Sequence, residues 1–488
     1  MSPQADQEEG LMSRVQLKAK KTVVSGQPCR QGKVYPLSVI DHMMGLYSLR
    51  LIFYYDHPLP VKEQQPRRLA GMSNNHSSGR GGPVVVPLEE SLSEALAFFP
   101  PVTGRLNRDA DGNWEVKCND AGVRTVEAAV PGATVAEWLE AADPEAELSL
   151  AQWEKMPDDP TFWSPFYVQL TEFRDGGFSI GLSCPHMHAD PHCAALLVKA
   201  WGDVHRKSGI ANPPFFHSHG LRLRKSPNTA TASVEYYRSK AALPPPPPAD
   251  PDNSLRFNTI TFRFSDVSVR RVVSEISESL PDATPFEVLA GLMWSACARA
   301  TPAASHLRDL NLLTEFRKAM HAPLPHGFFG NAIHFSHVQA GAEELAGDGG
   351  IAVAARAIRA DACRTEEDVR SVIDWWEERR EPEEGSDAGS GGKFLPPIRM
   401  YGPALTCANL EGVMAYGASF VEGRRPSHVS CHVIPPEGEG VVLVMPSPEE
   451  GLSRTVIATL PEEVARRVRA DPEIAKYEPK ILFGGQSK

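Results

Sequence analysis

Apolar positions change their spacing repeatedly along the chain, and each change marks a strand giving way to a helix or the reverse. "LRLIFYYD" (49–56) is a continuous apolar run and predicts a buried strand. "NWEVKC" and "VRTVEAAV" read as a meander around the turn "NDAG" (119–122). "FYVQLTEF" and "FSIGLSCP" flank "RDGG", where Asp175 and Gly176 signal a hairpin. In "TPFEVLAGLMWSACARA", Thr284 is placed to cap a helix, Pro285 suits its first position and Glu287 completes a capping box. Val288 and Leu292 follow helical spacing there, so this helix is expected in a core. "VRSVIDWWEERRE" (369–381) reads as an amphipathic helix ending in charge, with Trp294, Trp375 and Trp376 as packing residues. This mixture predicts an α/β fold with mixed sheets in both halves.

Polar and proline-rich stretches divide the pattern. At 488 residues the chain exceeds one ordinary core. "AALPPPPPADPDN" (241–253) favours an extended polyproline spacer near the midpoint. The expected division is therefore residues 1–225, a linker over 226–255, and residues 256–488. Segments 61–82, 341–350 and 381–392 read as further loops or mobile connections.

Composition narrows the function classes. Hydrophobic residues make up 42% and charged residues 23%, which is a globular balance. Fifty Lys and Arg against 61 Asp and Glu give a net charge of −11, the wrong field for a nucleic-acid groove. The eight cysteines are scattered with no CxxC pair, which predicts reduced thiols in a cytoplasmic setting. The acidic start "MSPQADQEEG" is not a secretory signal, and no apolar run approaches the ~18 residues of a membrane span. Membrane association would therefore come through a partner.

The chemistry concentrates in "SCPHMHADPH" (183–192). His186, His188, Asp190 and His192 resemble a metal-ligand string, but Pro191 separates Asp190 from the last histidine and downstream histidines lack ligand spacing. Asp190–Pro191 also reads as a helix cap followed by proline at the first helical position, a purely structural use. A third use sets His186 at a strand end as a general base, with Asp190 holding the turn shut. Cys184 has no paired base and reads as a buried thiol. The decapeptide alone leaves all three uses open.

An ordered set of motifs points further. "YPLSVIDHMMGLYSLRLIFYYD", "PVTGRLNRDADGNWEVKCNDAGVRTVEA", "HMHAD", "TPFEVLAGLMWSACARA" and "LPHGFFGNAIHFS" together resemble the plant BAHD acyltransferases, which move acyl groups from coenzyme A thioesters to alcohols or amines. The resemblance implies two similarly built, chloramphenicol-acetyltransferase-like domains joined by a crossover, with a channel between them. It implies His186 as general base, Asp190 as the residue shaping its loop, acyl-CoA as co-substrate, no bound cofactor, no metal and no covalent acyl-enzyme. "FFGN" (328–331) is read as a supporting turn.

Departures from the family pattern refine the picture. Pro191 replaces the usual glycine. The family's Asp-Phe-Gly-Trp-Gly segment aligns with "SFVEGRRP": Phe420 and Gly423 fit as structural residues, Ser419 stands at the acid and Glu422 at the tryptophan. The acid's usual partner arginine is matched to Arg317, which would then need another acceptor such as Glu315 or Glu422. "TCA" keeps Thr406 at the acceptor pocket and puts Ala408 in place of a bulky ring, implying a wider pocket and weaker polarisation of the oxyanion. A kept histidine motif with a degraded second signature resembles the ECERIFERUM/Glossy branch, tied to very-long-chain fatty acids and cuticular wax. That branch implies either acyl transfer or a non-catalytic partnership with an elongase condensing enzyme. The chain is expected to be a monomer, cytoplasmic or held at the cytosolic face of the endoplasmic reticulum by such a partner.

Overall fold

The computed structural model describes residues 15–30, 32–60, 85–217, 221–244, 256–302, 305–321, 323–361, 365–380 and 392–484. The first half supplies β1 (Gln16–Val23), β2 (Val34–Pro36), β3 (Ser48–Tyr55), β4 (Arg105–Arg108), β5 (Trp114–Lys117), β6 (Val123–Val130), β7 (Tyr167–Phe173) and β8 (Phe178–Pro185). The second supplies β9 (Phe257–Phe264), β10 (Leu307–Glu315), β11 (Ile333–Gly341), β12 (Leu405–Asn409), β13 (His428–Ile434), β14 (Val441–Pro446), β15 (Arg454–Pro461) and β16 (Lys480–Leu482). Among the helices are α1 (Val39–Met43), α2 (Val85–Leu96), α3 (Pro191–His205), α4 (Ala232–Ala241), α5 (Pro285–Ala300), α6 (Ala342–Ala346), α7 (Gly350–Asp361) and α8 (Glu366–Glu377).

Two mixed sheets dominate, as expected. One has the order β1-β6-β7-β8-β3-β13, with β6 and β7 parallel and the other pairs antiparallel. The other runs β11-β10-β12-β14-β15-β9-β16, with β12 parallel to both of its neighbours. A small sheet, β2-β5-β4, lies apart. The β7–β8 hairpin turns at Asp175 and Gly176, whose φ of 81° suits glycine. The Thr284–Glu287 capping box forms, and α5 is buried along nearly its whole length.

Three sequence expectations need correction. β5 and β6 do not form a meander: β5 joins the small sheet, while β6 pairs with β1 and β7. The intervening turn holds Asp120 and Gly122 at φ 50° and 82°, leading the chain out of one sheet and into the middle of another. Segment 341–350 is not a bare connection, because Ala342–Ala346 forms α6 and α7 begins at Gly350. Ala, Glu and Leu are strong helix formers, and here they outweigh the flanking glycines. The third correction concerns the division of the chain. β13 belongs by sequence to 256–488, yet it pairs residue for residue with β3 along the first sheet's edge. The 226–255 segment is also not all linker, since it contains α4. Residues 245–255, 61–84 and 381–391, with most of the proline spacer and two of the loops, lie outside the described residues, as does Cys363.

Packing explains why the halves do not separate. Leu49, Leu51, Phe53 and Tyr55 of β3 face the largest core cluster, while Ile52 and Tyr54 face a smaller one with Trp138 and Phe173. That largest cluster also takes in Val429 and Cys431 of β13, Phe335 of β11 and Leu443 of β14, so one core crosses both halves. Each such side chain contributes about 1.5–3 kcal/mol by burial. A fragment of residues 1–225 would lack β13 and expose both the β3 edge and this apolar face. Expressed alone, it is expected to aggregate on size-exclusion chromatography, and co-expression with 226–488 should recover a monodisperse complex. A stable, monodisperse 1–225 fragment would show β13 to be dispensable.

Candidate active site

β8 delivers the histidine motif and then stops. Past Pro185, the His186 amide donates to the Tyr47 carbonyl (2.8 Å) and the His188 amide to Pro185 (3.0 Å), closing a tight turn. Asp190 then caps α3 by accepting from the Cys193 amide at 2.9 Å, with Pro191 at the first helical position. The His186 ring is fully buried, and its Nε2 lies 2.9 Å from the Tyr401 hydroxyl. Burial pushes the imidazole pKa below its ordinary value, so the ring is neutral at pH 7. A neutral imidazole is the form a general base requires.

The backbone behind the ring is tied down separately. Asn331 donates its side-chain amide to the His186 carbonyl (2.7 Å), and both its backbone and side-chain nitrogens donate to Asp41 Oδ1 (2.9 and 2.8 Å). The other Asp41 oxygen completes a capping box with Ser38, accepting from its amide and hydroxyl at 2.8 and 2.7 Å. Asn331 enters β11 and Asp41 sits on α1, so this relay joins the two halves at the motif.

Asp190 makes a second join. Its Oδ2 lies 2.8 Å from an Arg317 nitrogen and accepts from the Ala332 amide at 3.0 Å. Burial alone would raise the Asp190 carboxyl, but the adjacent guanidinium outweighs it and holds the carboxyl at about 2. Arg317 also reaches Glu315 (3.1 Å) and the Gly330 carbonyl (3.0 Å). Arg317 therefore pairs with the motif's own aspartate as well as Glu315. The arginine at the degraded segment is instead Arg206, whose guanidinium donates to the Ser419 carbonyl. Phe420 packs among Trp201, Tyr55 and Phe178, with ring centroids 5.1, 5.6 and 6.5 Å away. Gly423 turns at φ 70° beside the Val421–Arg424 bridge. A Cβ on Gly202 would stand 2.4 Å from the Ser419 carbonyl, so this segment lies directly on α3.

Thr406 and Ala408 sit two residues apart on β12 and share a face. The Thr406 hydroxyl donates to the Tyr401 carbonyl (3.0 Å) and accepts from the Asn311 amide (3.1 Å). Ala408 is buried in the large core cluster. The structure thus links His186, Asp190, Arg317 and Thr406, leaving Phe420 and Gly423 along the α3 flank. Asn331 belongs to the "FFGN" turn read as a support, whereas Tyr401, Asp41 and Tyr47 are site residues that the motif reading passed over. Ser38-x-x-Asp41 is a capping-box signature and was the one available signal; nothing local in "RMYGP" announces Tyr401.

The three imidazoles of the motif serve different surroundings. His188 lies edge-on to Phe166 with ring centroids 5.7 Å apart, and burial holds it at about 3. His192 Nε2 lies 3.3 Å from the His326 carbonyl. Among the described residues no three His, Cys, Asp or Glu side chains come together as a metal site. Burial pushes the Cys184 thiol upward, away from thiolate chemistry.

The His186 ring itself is sealed from solvent. A cavity of about 40 Å³, room for roughly one water, is lined by Ser38, Asp41, His188 and Gly330. A separate cavity of about 520 Å³ is lined by Leu46, Lys240, Ile398 and Arg399. His186 lines neither of these two, and the Tyr401 hydroxyl stands at its Nε2.

Asp190→Asn would leave the Arg317 charge buried without its partner and is expected to cost about 3–5 kcal/mol in urea unfolding at pH 7. In the wild type, a carboxyl held at about 2 against an ordinary 3.8 contributes stability in full above about pH 4. That contribution, about 2 kcal/mol, disappears as pH falls from 4 to 2. An Asp190→Asn chain with the same acid limb as wild type would refute the assignment.

With this geometry established, likeness to known proteins becomes informative. The sequence model of the Transferase family matches residues 72–474. A hydroxycinnamoyltransferase of Narcissus pseudonarcissus is 31% identical over 299 residues, 59% of this chain and 67% of the relative. Matches to other hydroxycinnamoyltransferases span 57–66% of their length. Protein ECERIFERUM 26-like of Arabidopsis thaliana is 25% identical over 452 residues, covering 92% of this chain and 93% of the relative. In fold, the chain superposes on F. sporotrichioides TRI101, solved with coenzyme A and T-2, with a TM-score of 0.65 at 15% identity, over 92% of this chain and 100% of that one. The chain belongs to the Transferase family, the acyl-CoA-dependent acyltransferases called BAHD.

Proposed function

We propose that the protein transfers an acyl group from a coenzyme A thioester to a hydroxyl or amine in very-long-chain fatty acid or cuticular wax metabolism, with His186 as general base. The observation that carries this reading is a buried, neutral imidazole at the end of β8 whose loop is locked by Asp190 and Asn331, the form and fixed placement a general base requires. In the step, His186 takes the acceptor's proton as its oxygen or nitrogen attacks the thioester carbonyl. The tetrahedral intermediate then collapses, the carbon–sulfur bond breaks and the thiolate leaves with the proton from His186. Asp190 acts through the loop, as a positioning residue. Thr406 is assigned to the acceptor side, and Ala408, a small residue packed in the core, supplies no ring donor to polarise an oxyanion there. Support comes from the hydroxycinnamoyltransferases, from the ECERIFERUM 26-like relative and from a fold neighbour solved with coenzyme A.

A second reading is a non-catalytic partner of an elongase condensing enzyme that sets acyl-chain length. It is favoured by Tyr401 standing in the acceptor's place and by Ser419–Gly423 being used to pack on α3. In that reading the protein works at the cytosolic face of the endoplasmic reticulum through its partner. No helix among the described residues is long and apolar enough to cross a membrane itself.

One paired experiment tests both. Purified wild type and His186→Ala are assayed against a panel of acyl-CoAs and acceptors, and both are co-expressed with a condensing enzyme for lipid profiling. The enzymatic reading expects a loss of turnover of about 10²–10⁴-fold in the variant, the contribution of a general base. No turnover above the variant, with chain extension unaffected by it, would replace the first reading with the second.

A further inference from the structure

In this structure the Tyr401 hydroxyl, 2.9 Å from Nε2 of His186, holds the place an acceptor hydroxyl would take. An acceptor hydroxyl and the tyrosine hydroxyl cannot both occupy it. We infer that Tyr401 is a gate standing in the acceptor's position, and that segment 399–402 must withdraw before His186 can serve any substrate. This inference rests on the reading of His186 as the base.

The surroundings require the whole segment to move. The Tyr401 ring is buried, packed edge-on to Tyr47 and Phe335 with centroids 4.8 and 5.3 Å away, so no neighbouring space receives a rotated ring. Met400 and Tyr401 pack in the large core cluster, and the rest of the segment's attachments are polar. Lys240 on α4 donates to the carbonyls on either side of Tyr401, those of Met400 (3.5 Å) and Gly402, and also to Asn311 Oδ1 (2.9 Å). Arg399 pairs with Glu437 at 2.8 Å and donates to the Pro244 carbonyl at 3.2 Å. Tyr47 joins the same group, with its hydroxyl 3.3 Å from Glu437 and within 3.4 Å of the Tyr401 amide. The Thr406 hydroxyl holds the Tyr401 carbonyl.

Lys240, Ile398 and Arg399 line the 520 Å³ cavity, so the outer side of the segment already borders open space. Withdrawal in that direction exchanges polar contacts and uncovers the Tyr401 ring and the Met400 side chain, a loop motion of the kind that gates many active sites. Opening would join this cavity to His186. Lys240 is the clamp to release, because one ammonium holds both carbonyls that flank the gate.

The test compares the full-length wild type with Tyr401→Gly, Tyr401→Phe, Lys240→Met and His186→Ala/Tyr401→Gly. One readout is carbethoxylation of His186 by diethyl pyrocarbonate, followed by peptide mass spectrometry, which needs no turnover. The other is coenzyme A release from an acyl-CoA, with water or an added alcohol as acceptor. Removing the ring or the clamp should speed His186 modification by about tenfold or more, and Tyr401→Phe, which keeps the ring, should change it less. The Tyr401→Gly chain should also release coenzyme A faster, with the gain absent from the double variant. Equal modification of His186 in wild type and in folded Tyr401→Gly and Lys240→Met chains would overturn the gate. Faster modification without coenzyme A release in any variant would keep the gate and remove His186 as base. Wild-type turnover that depends on His186 and is unchanged in both open variants would keep the base and remove the gate.

Discussion

A carboxylate and a guanidinium, both nearly excluded from water, meet at 2.8 Å between Asp190 and Arg317, and the rest of the site is arranged around them. Desolvating two charges costs several kcal/mol each, and their attraction offsets this only with the help of further hydrogen bonds to the remaining lone pairs and protons. Here Asp190 also accepts from the Cys193 and Ala332 amides, and Arg317 reaches Glu315 and the Gly330 carbonyl while its Nε is left without a partner among the described residues. Those partners belong to α3, the end of β10 and the entry to β11. The pair therefore fixes where the two halves meet, and His186, a single tight turn upstream, inherits its position from that constraint.

A division of labour follows. Asp190 and Arg317 anchor the helix side of the motif, and the Asp41–Asn331 relay anchors the carbonyl of His186. The ring itself is left to one partner, Tyr401. With Arg317 satisfied from within the motif, nothing requires an acid in the Ser419–Gly423 segment. That segment has become packing on α3, with Phe420 among the rings of Trp201, Tyr55 and Phe178.

Much of this was legible in local patterns. The β7–β8 hairpin, the Thr284–Glu287 capping box and the Asp190–Pro191 helix start each depend on a few adjacent residues, and each forms. The roles given to His186 and Asp190 came from family resemblance, since the decapeptide alone left three uses open. What escaped depends on distant residues. Nothing within β13 says that its partner is β3, near the other end of the chain. β6 was misassigned because its neighbours β1 and β7 are remote, whereas β5 is adjacent in sequence. Arg317's partner and Tyr401's place at Nε2 are likewise set by tertiary geometry, and single-sequence spacing carries no record of either.

The edge position of β13 has a consequence for how the chain is made. Translation proceeds at roughly 5–20 residues per second, so the about 240 residues between the end of β8 and the start of β13 emerge over some 10–50 s. Through that interval the hydrogen-bonding rim of β3 has no strand beside it, and the apolar side chains around it have no cover. The nascent first half must be shielded on the ribosome until the last stretch of the polypeptide arrives to complete it.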